Sequence, residues 1–189
     1  MKKITLLASV LFTSLTTFAQ TWTVDKAHAK LGFTAVHMMV SDVEGWFKSF
    51  DAKVTSSKSD FTDAVIELNA DVNSINTDNE KRDAHLKSPD FFDAAKYPTL
   101  TFKSKSFKKV DDKKYKLSGD LTMHGVTKPV VLDVTFNGTN TQMKSTKKIA
   151  GFRVSGTLKR ADFGIGANMP GAVVGDDITL ISNVEFDEN

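Results

Sequence analysis

The side chains able to do chemistry in this chain are few and scattered. Four histidines, His28, His37, His85 and His124, fall in four separate stretches, and none stands at the close spacing of a metal-ligand pair. Cysteine is absent, which removes thiolate nucleophiles, thiolate ligands and disulfides together, so the core alone must hold the fold. There is no Gly-x-Ser-x-Gly elbow, no phosphate-cradling glycine pattern and no carboxylate pair spaced for acid and base roles. The sequence therefore predicts no metal, no cofactor and no catalytic residue, and reads as a binding protein. An acid–base pairing of His85 with Asp83 or Asp90 keeps a hydrolase open as one alternative, and a ligand-free interaction module is another.

Recognition chemistry is better represented. If the stretch around residue 82 is helical, Arg82, His85 and Leu86 share one face, pointing a cation, a titratable ring and an apolar anchor the same way. His37 ends an otherwise apolar alternation, and Arg160 ends another. A guanidinium or imidazole at a cavity mouth suits a phosphate or carbonyl, which makes His37, Arg82, His85 and Arg160 the candidate head-group contacts. Structural roles compete with each. Arg82 can pair with Asp78 or Asp83, and Arg160 with Asp162 or Asp93, because a buried charge needs a partner. His37 can be a hydrogen-bonded core histidine, and His124 a turn residue ahead of Gly125.

The elements that position these groups are mostly strands. Residues 77 to 98 are the one long segment without strand or turn character. Thr77 with Glu80 has the form of a capping box, so a helix is expected from near Asp78, and Ser88-Pro89 is expected to end it and open a second short one. Elsewhere apolar and polar residues alternate in period two. Leu31, Phe33, Ala35 and His37 form one inward row, with Ala64, Ile66, Leu68, Ala70 and Val72 the most regular. Tyr115 to Met123, Val130 to Phe136, Ala150 to Arg160 and Ile178 to Phe186 follow. The alternation slips near Ser49, where a bulge is expected. Turns are expected at Asp111-Asp112 and at Asn137-Gly138, the dipeptide best suited to a tight hairpin.

About eight strands joined by short turns predict an all-β fold, an extended eight-stranded antiparallel barrel with a helical insertion at about residues 78–95. The inward rows hold many small residues among the Phe and Leu, which leaves room for a cavity. Its expected lining is Leu31, Phe33, Ala35, Phe47, Ala64, Ile66, Leu68, Ala70, Phe91, Phe92, Leu100, Phe102, Leu117, Leu121, Phe152, Val154 and Met169, so that enlarging Ala64 or Ala70 to Phe would block binding. Met169 enters from the flexible, glycine-rich loop at 164–171.

Two lysines, an apolar run from Ile4 to Phe18 and the small residue Ala19 have the form of a cleavable signal peptide over 1–19. The run is too short for a permanent membrane span. Residues 20–189 then make a single domain, expected to be periplasmic or secreted. Losing Lys2 and Lys3 leaves basic and acidic residues in equal number, which argues against nucleic acid or an anionic membrane held by net charge. A homodimer paired through an edge strand stays open.

Separated blocks then carry a family likeness. They are Trp22-Thr23-Val24-Asp25 with His28, Gly45-Trp46-Phe47 before Phe50, Ser74-Ile75-Asn76-Thr77, and Arg82-Asp83-Ala84-His85-Leu86 with Ser88-Pro89-Asp90-Phe91-Phe92-Asp93. Tyr97-Pro98, Gly119 to Thr127 and Arg160-Ala161-Asp162-Phe163-Gly164 complete the series. In this order they resemble the YceI-like family of secreted, lipocalin-like polyisoprenoid-binding proteins, across nearly all of the chain after residue 19. The resemblance implies an extended antiparallel lipid-binding barrel enclosing a long apolar channel for an isoprenoid or similar lipid chain. A bound isoprenoid, quinone or fatty-acid-derived lipid is the expected cargo, and a ligand-free stress-response module and a lipid-processing hydrolase on the same fold are the alternatives. The family usually has Ser or Thr after the first histidine, where this chain has Ala29.

Overall fold

Period-two rows become strands because alternate side chains point to opposite faces, and the apolar face must leave water. A computed structural model describes residues 19–143 and 145–189. The expected signal peptide, Ala19 apart, lies outside the described residues. Among them are eleven strands: β1 (Gln20–Val24), β2 (Lys30–His37), β3 (Ser41–Phe47), β4 (Phe50–Ser56), β5 (Val65–Asp71), β6 (Ile75–Asn76), β7 (Thr99–Lys109), β8 (Lys114–Met123), β9 (Val126–Thr141), β10 (Lys148–Lys159) and β11 (Val174–Glu188). All pairings are antiparallel. β11 bonds to β10 on one side and to both β1 and β2 on the other. β4 lies beside β1 and β3 beside β2, while β5 lies beside β4 and β6 beside β3. Hence β1 with β2, β3 with β4, and β5 with β6 are three long strands, each interrupted once. The result is a closed, eight-stranded, up-and-down barrel.

Each interruption has a local cause. Between β1 and β2 the Asp25 carboxylate accepts the Ala27 N–H at 2.8 Å and meets His28 Nδ1 at 2.7 Å. Between β3 and β4 the Ser49 N–H donates to Ser74 Oγ at 3.0 Å, which places the expected slip at Lys48-Ser49. Between β5 and β6 a single 3-10 turn, Val72–Ser74, is capped by Asp71.

Two local expectations are corrected. Asn137-Gly138 does not turn the chain. β9 runs straight through it to Thr141, with Gly138 opposite Gly151 and Phe136 opposite Phe152, so Asn137 is the extra residue of a bulge. The helix is one element, α1 (Glu80–Lys87), followed by successive turns and no second helix. Its N-cap is Asn79, whose side chain accepts the Arg82 N–H. Thr77 is excluded from capping because it is buried and already committed: its N–H and hydroxyl both donate to Asp83 Oδ1, at 2.8 and 2.6 Å.

The barrel has two distinct ends. One carries the β2–β3 turn, the α1 segment, the His124-Gly125 turn and the loop from Arg160 to Val173; we call it the lid end. The other carries the residue 57–64 loop, the β7–β8 and β9–β10 turns, and both ends of the barrel strands at Gln20 and Glu188. Outward rows carry groups such as Glu67, Lys103, Lys116 and Asp133, the reverse of a barrel that faces lipid. No helix among the described residues is long and apolar enough to cross a membrane.

Candidate functional site

The inward rows do not fill the barrel. They enclose a cavity of about 230 Å³, and Arg160 and Ser182 are the polar side chains in its wall; the rest is aliphatic and aromatic. The reason lies in strand composition. Ala35, Ala52 and Ala64 stand where a bulky residue would close the space, while Leu68, Phe102, Leu121 and Phe152 supply apolar wall from four different strands. At the lid end Leu86 of α1, Phe91 and Phe92 reach down onto the cavity, with Phe92 edge-on to Phe47 at 6.1 Å.

At the opposite end Phe61, 1% exposed, plugs the barrel. Its ring lies 5.3 Å from Trp22, 5.3 Å from Phe136 and 5.2 Å from Phe152. The loop that delivers it is clasped by Asp63, which accepts hydrogen bonds from the hydroxyls of Ser56 and Ser57 and from the Ser57 N–H. Partial burial works to raise the Asp63 carboxyl, but these donors outweigh it and hold it well below the usual carboxylate range. The Tyr115 hydroxyl, raised by desolvation and then by the charges of Asp60 and Asp112, donates to the Asp60 carbonyl at 2.8 Å.

Arg160 organises the lid end. It is 7% exposed, and its guanidinium donates to five backbone carbonyls: Nε to Gly175 at 3.2 Å, Nη1 to Ile165 at 3.0 Å and Gly166 at 2.5 Å, and Nη2 to Met169 at 2.7 Å and Val174 at 3.1 Å. The expected pairing with Asp162 or Asp93 is corrected: the loop from Ile165 to Gly175 wraps the guanidinium in carbonyl oxygens instead. Gly166 (φ +62°) lets the chain pass, since a Cβ there would lie 3.0 Å from Arg160 Nη1 and 2.9 Å from the Phe91 ring. Arg160 thus anchors the loop and presents positive charge to the cavity wall.

The other head-group candidates do not converge on the cavity. Arg82 folds back on its own segment, Nε donating to Thr77 Oγ1 at 2.8 Å and Nη2 to the Thr77 carbonyl at 2.7 Å. His85 is exposed, 3.3 Å from Asp90 and edge-on to Phe91 at 5.0 Å. His37 is exposed at the end of β2, which corrects the core-histidine reading, and it is absent from the cavity wall. His124 ties lid elements together, its Nδ1 3.0 Å from the Phe163 carbonyl and its ring 4.8 Å from that of Tyr97. All the expected lining residues border the cavity except Ala70, which is buried between Phe50 and Leu100, and Met169, whose carbonyl faces Arg160. Phe61 escaped the sequence reading because it comes from a loop, where no alternation marks it. Val130, Leu132 and Phe186 belong to rows whose alternation does mark them.

Asp25, His28 and Glu185 bring ligand-type atoms within 4.8 Å, the one such group among the described residues. The Asp25 hydrogen bond raises the imidazole and lowers the carboxyl, the signature of an ion pair closing the β1–β2 turn. The tertiary partner Glu185 on β11 was invisible to spacing.

A closed antiparallel barrel of eight strands around one apolar cavity, capped by a helix-bearing segment, defines a lipocalin-like architecture. Within that class the chain belongs to the YceI-like domain family, whose model matches residues 22–186. The UPF0312 protein SA2479 of Staphylococcus aureus (strain N315) is 37% identical over 169 residues, covering 87% of this chain and 96% of that protein. The crystal structure of the YceI protein of Campylobacter jejuni is 30% identical, covering 100% of this chain and 99% of that one, with a TM-score of 0.72. A polyisoprenoid binding domain from Saccharophagus degradans, implicated in plant cell wall breakdown, shares the fold at 16% identity, covering 89% of this chain and 98% of that domain, with a TM-score of 0.67.

Proposed function

We propose that this protein is a carrier that sequesters an isoprenoid, quinone or fatty-acid-derived chain inside its barrel, acting in the periplasm or outside the cell after its signal peptide is removed. The observation that carries the reading is the cavity itself, apolar around nearly its whole wall and polar only at Arg160 and Ser182. Each lipid methylene moved from water into such a wall contributes about 0.8 kcal/mol, so a chain needs few polar contacts to bind. Arg160, whose five N–H donors are taken by carbonyls, acts on the lipid's polar end through its charge alone, favouring that end toward the lid. The polyisoprenoid binding described for the Saccharophagus degradans domain supports the same cargo class here. Binding rather than turnover is the reading, because His85 and Asp90 pair on the surface and neither lines the cavity.

Native mass spectrometry of protein purified from its own envelope, followed by organic extraction, tests the proposal. A stoichiometric long-chain lipid is expected, and Ala35→Trp, which fills the cavity from a half-buried position, is expected to abolish it with the fold intact. An empty protein that also refuses added isoprenoids and fatty amides would overturn the reading and favour an interaction module.

A further inference from the structure

The β2–β3 turn breaks the usual rule for its own geometry. Met38 (φ +53°) and Met39 (φ +57°) are both left-handed, and the Val40 N–H closes the turn on the His37 carbonyl at 3.0 Å. Two successive left-handed residues are the requirement that Asn-Gly meets with least strain, and methionine meets poorly. The strained pair is also displayed: Met38 is 51% exposed, Met39 75% and Val40 86%, with Val36 beside them at 40%. Neither packing nor turn chemistry accounts for three apolar side chains at this tip.

Its surroundings extend the surface. The Met38 N–H donates to the Val173 carbonyl at 2.9 Å, which seats the turn against the loop that Arg160 anchors. From Phe163 to Gly175 that loop has no charged residue, and Ala167, Pro170 and Ala172 are exposed on it. The loops of the far end carry Lys58, Asp60, Asp63, Asp111, Asp112 and Lys113, and at the lid end the α1 segment carries the exposed Asp78, Glu80, Lys81, Asp90 and Lys96. Within the lid end, an uncharged apolar arc therefore runs from the β2–β3 tip along the adjoining loop and faces water.

We propose that Met38-Met39-Val40 and the adjoining loop form a docking surface for the interface of a neutral lipid bilayer, through which the barrel meets its cargo's reservoir. This rests on the lipid-carrier reading, since a chain that dissolves in the cavity also dissolves in a membrane. Apolar side chains on a tip enter the headgroup boundary by burying surface, without charge attraction. Asp42 and Glu44, exposed on β3 just beyond the tip, disfavour anionic head groups, so the occupant is a zwitterionic surface.

Flotation with phosphatidylcholine vesicles tests the docking, using the full mature chain and the double variant Met38→Asn with Met39→Gly. That variant supplies the residues the turn geometry favours, so its melting temperature is expected to rise while vesicle binding falls roughly tenfold or more. Wild-type binding is expected to be unchanged by added salt and weakened by phosphatidylglycerol. Equal binding by variant and wild type, or binding abolished by salt, overturns the proposal. So does a tip that governs self-association in sedimentation while leaving vesicles unbound, which would assign it to a second copy of this chain. Lipid uptake from detergent solution, read by native mass spectrometry, separates the two claims. Uptake without docking defeats the docking surface alone, and docking without uptake defeats the carrier reading.

Discussion

The two ends of the barrel are closed by different physics. At the far end Phe61 interlocks with Trp22, Phe136 and Phe152, and burial of aromatic surface holds the plug. At the lid end Leu86, Phe91 and Phe92 face the cavity, but polar groups tie down the segments around them: Arg160 gathers five carbonyls, and Asp83 and Arg82 both bind Thr77. Interlocked aromatics yield only when much of the core yields with them. A loop held through one guanidinium can release as a unit, by local opening that costs less than global unfolding. Local opening is therefore expected first at the lid end, where Arg160 holds its loop, with the far end fixed.

The sharpest way to break this asymmetry is Phe61→Ala. Truncating a buried aromatic is expected to cost about 3–5 kcal/mol, seen as a lower denaturation midpoint of the whole barrel. Arg160→Met is expected to cost about 2–4 kcal/mol by leaving buried carbonyls unpaired. Hydrogen exchange should then rise over residues 164–175 ahead of the strands; a uniform rise would mean that the loop is not a separate unit. Asp83→Ala leaves the Thr77 N–H without its acceptor and is expected to cost about 1–3 kcal/mol, with faster exchange confined to residues 77–87.

The smallest effect concerns the clasp on the floor. Asp63 has its carboxyl depressed on folding, so its contribution is full above the ordinary value near ~3.9 and is lost as pH falls toward the folded value. Asp63→Asn is expected to lower the melting temperature slightly at neutral pH, with the gap narrowing on acidification below about pH 4. A gap that widens in acid would show that the carboxylate is not what holds the loop.

Much of this molecule was legible before folding. Period-two rows such as Ala64 to Val72 marked strands and their inward faces, and small residues such as Ala35 marked room inside. The failures share a cause. Asn137-Gly138 has ideal turn chemistry, yet the long pairing of β9 with β10 overrides it and absorbs the extra residue as a bulge. Thr77 offered a helix cap, but burial gave its hydroxyl to Asp83 and left the cap to Asn79. Ala70 shares a row with Ala64 and is packed against neighbouring strands, away from the cavity.

Sequence alone determined the strand rows, the absence of thiol chemistry and the apolar character of the interior, because hydrophobic periodicity is a local property that each segment carries by itself. Tertiary structure decided what a segment cannot carry. It set which rows meet across the barrel, that Phe61 becomes the floor, and that Arg160 is solvated by its own backbone. It also left Met38 and Met39 in water. These depend on closure, which brings residues distant in sequence to the same few ångströms and settles there which polar group finds a partner and which apolar one does not.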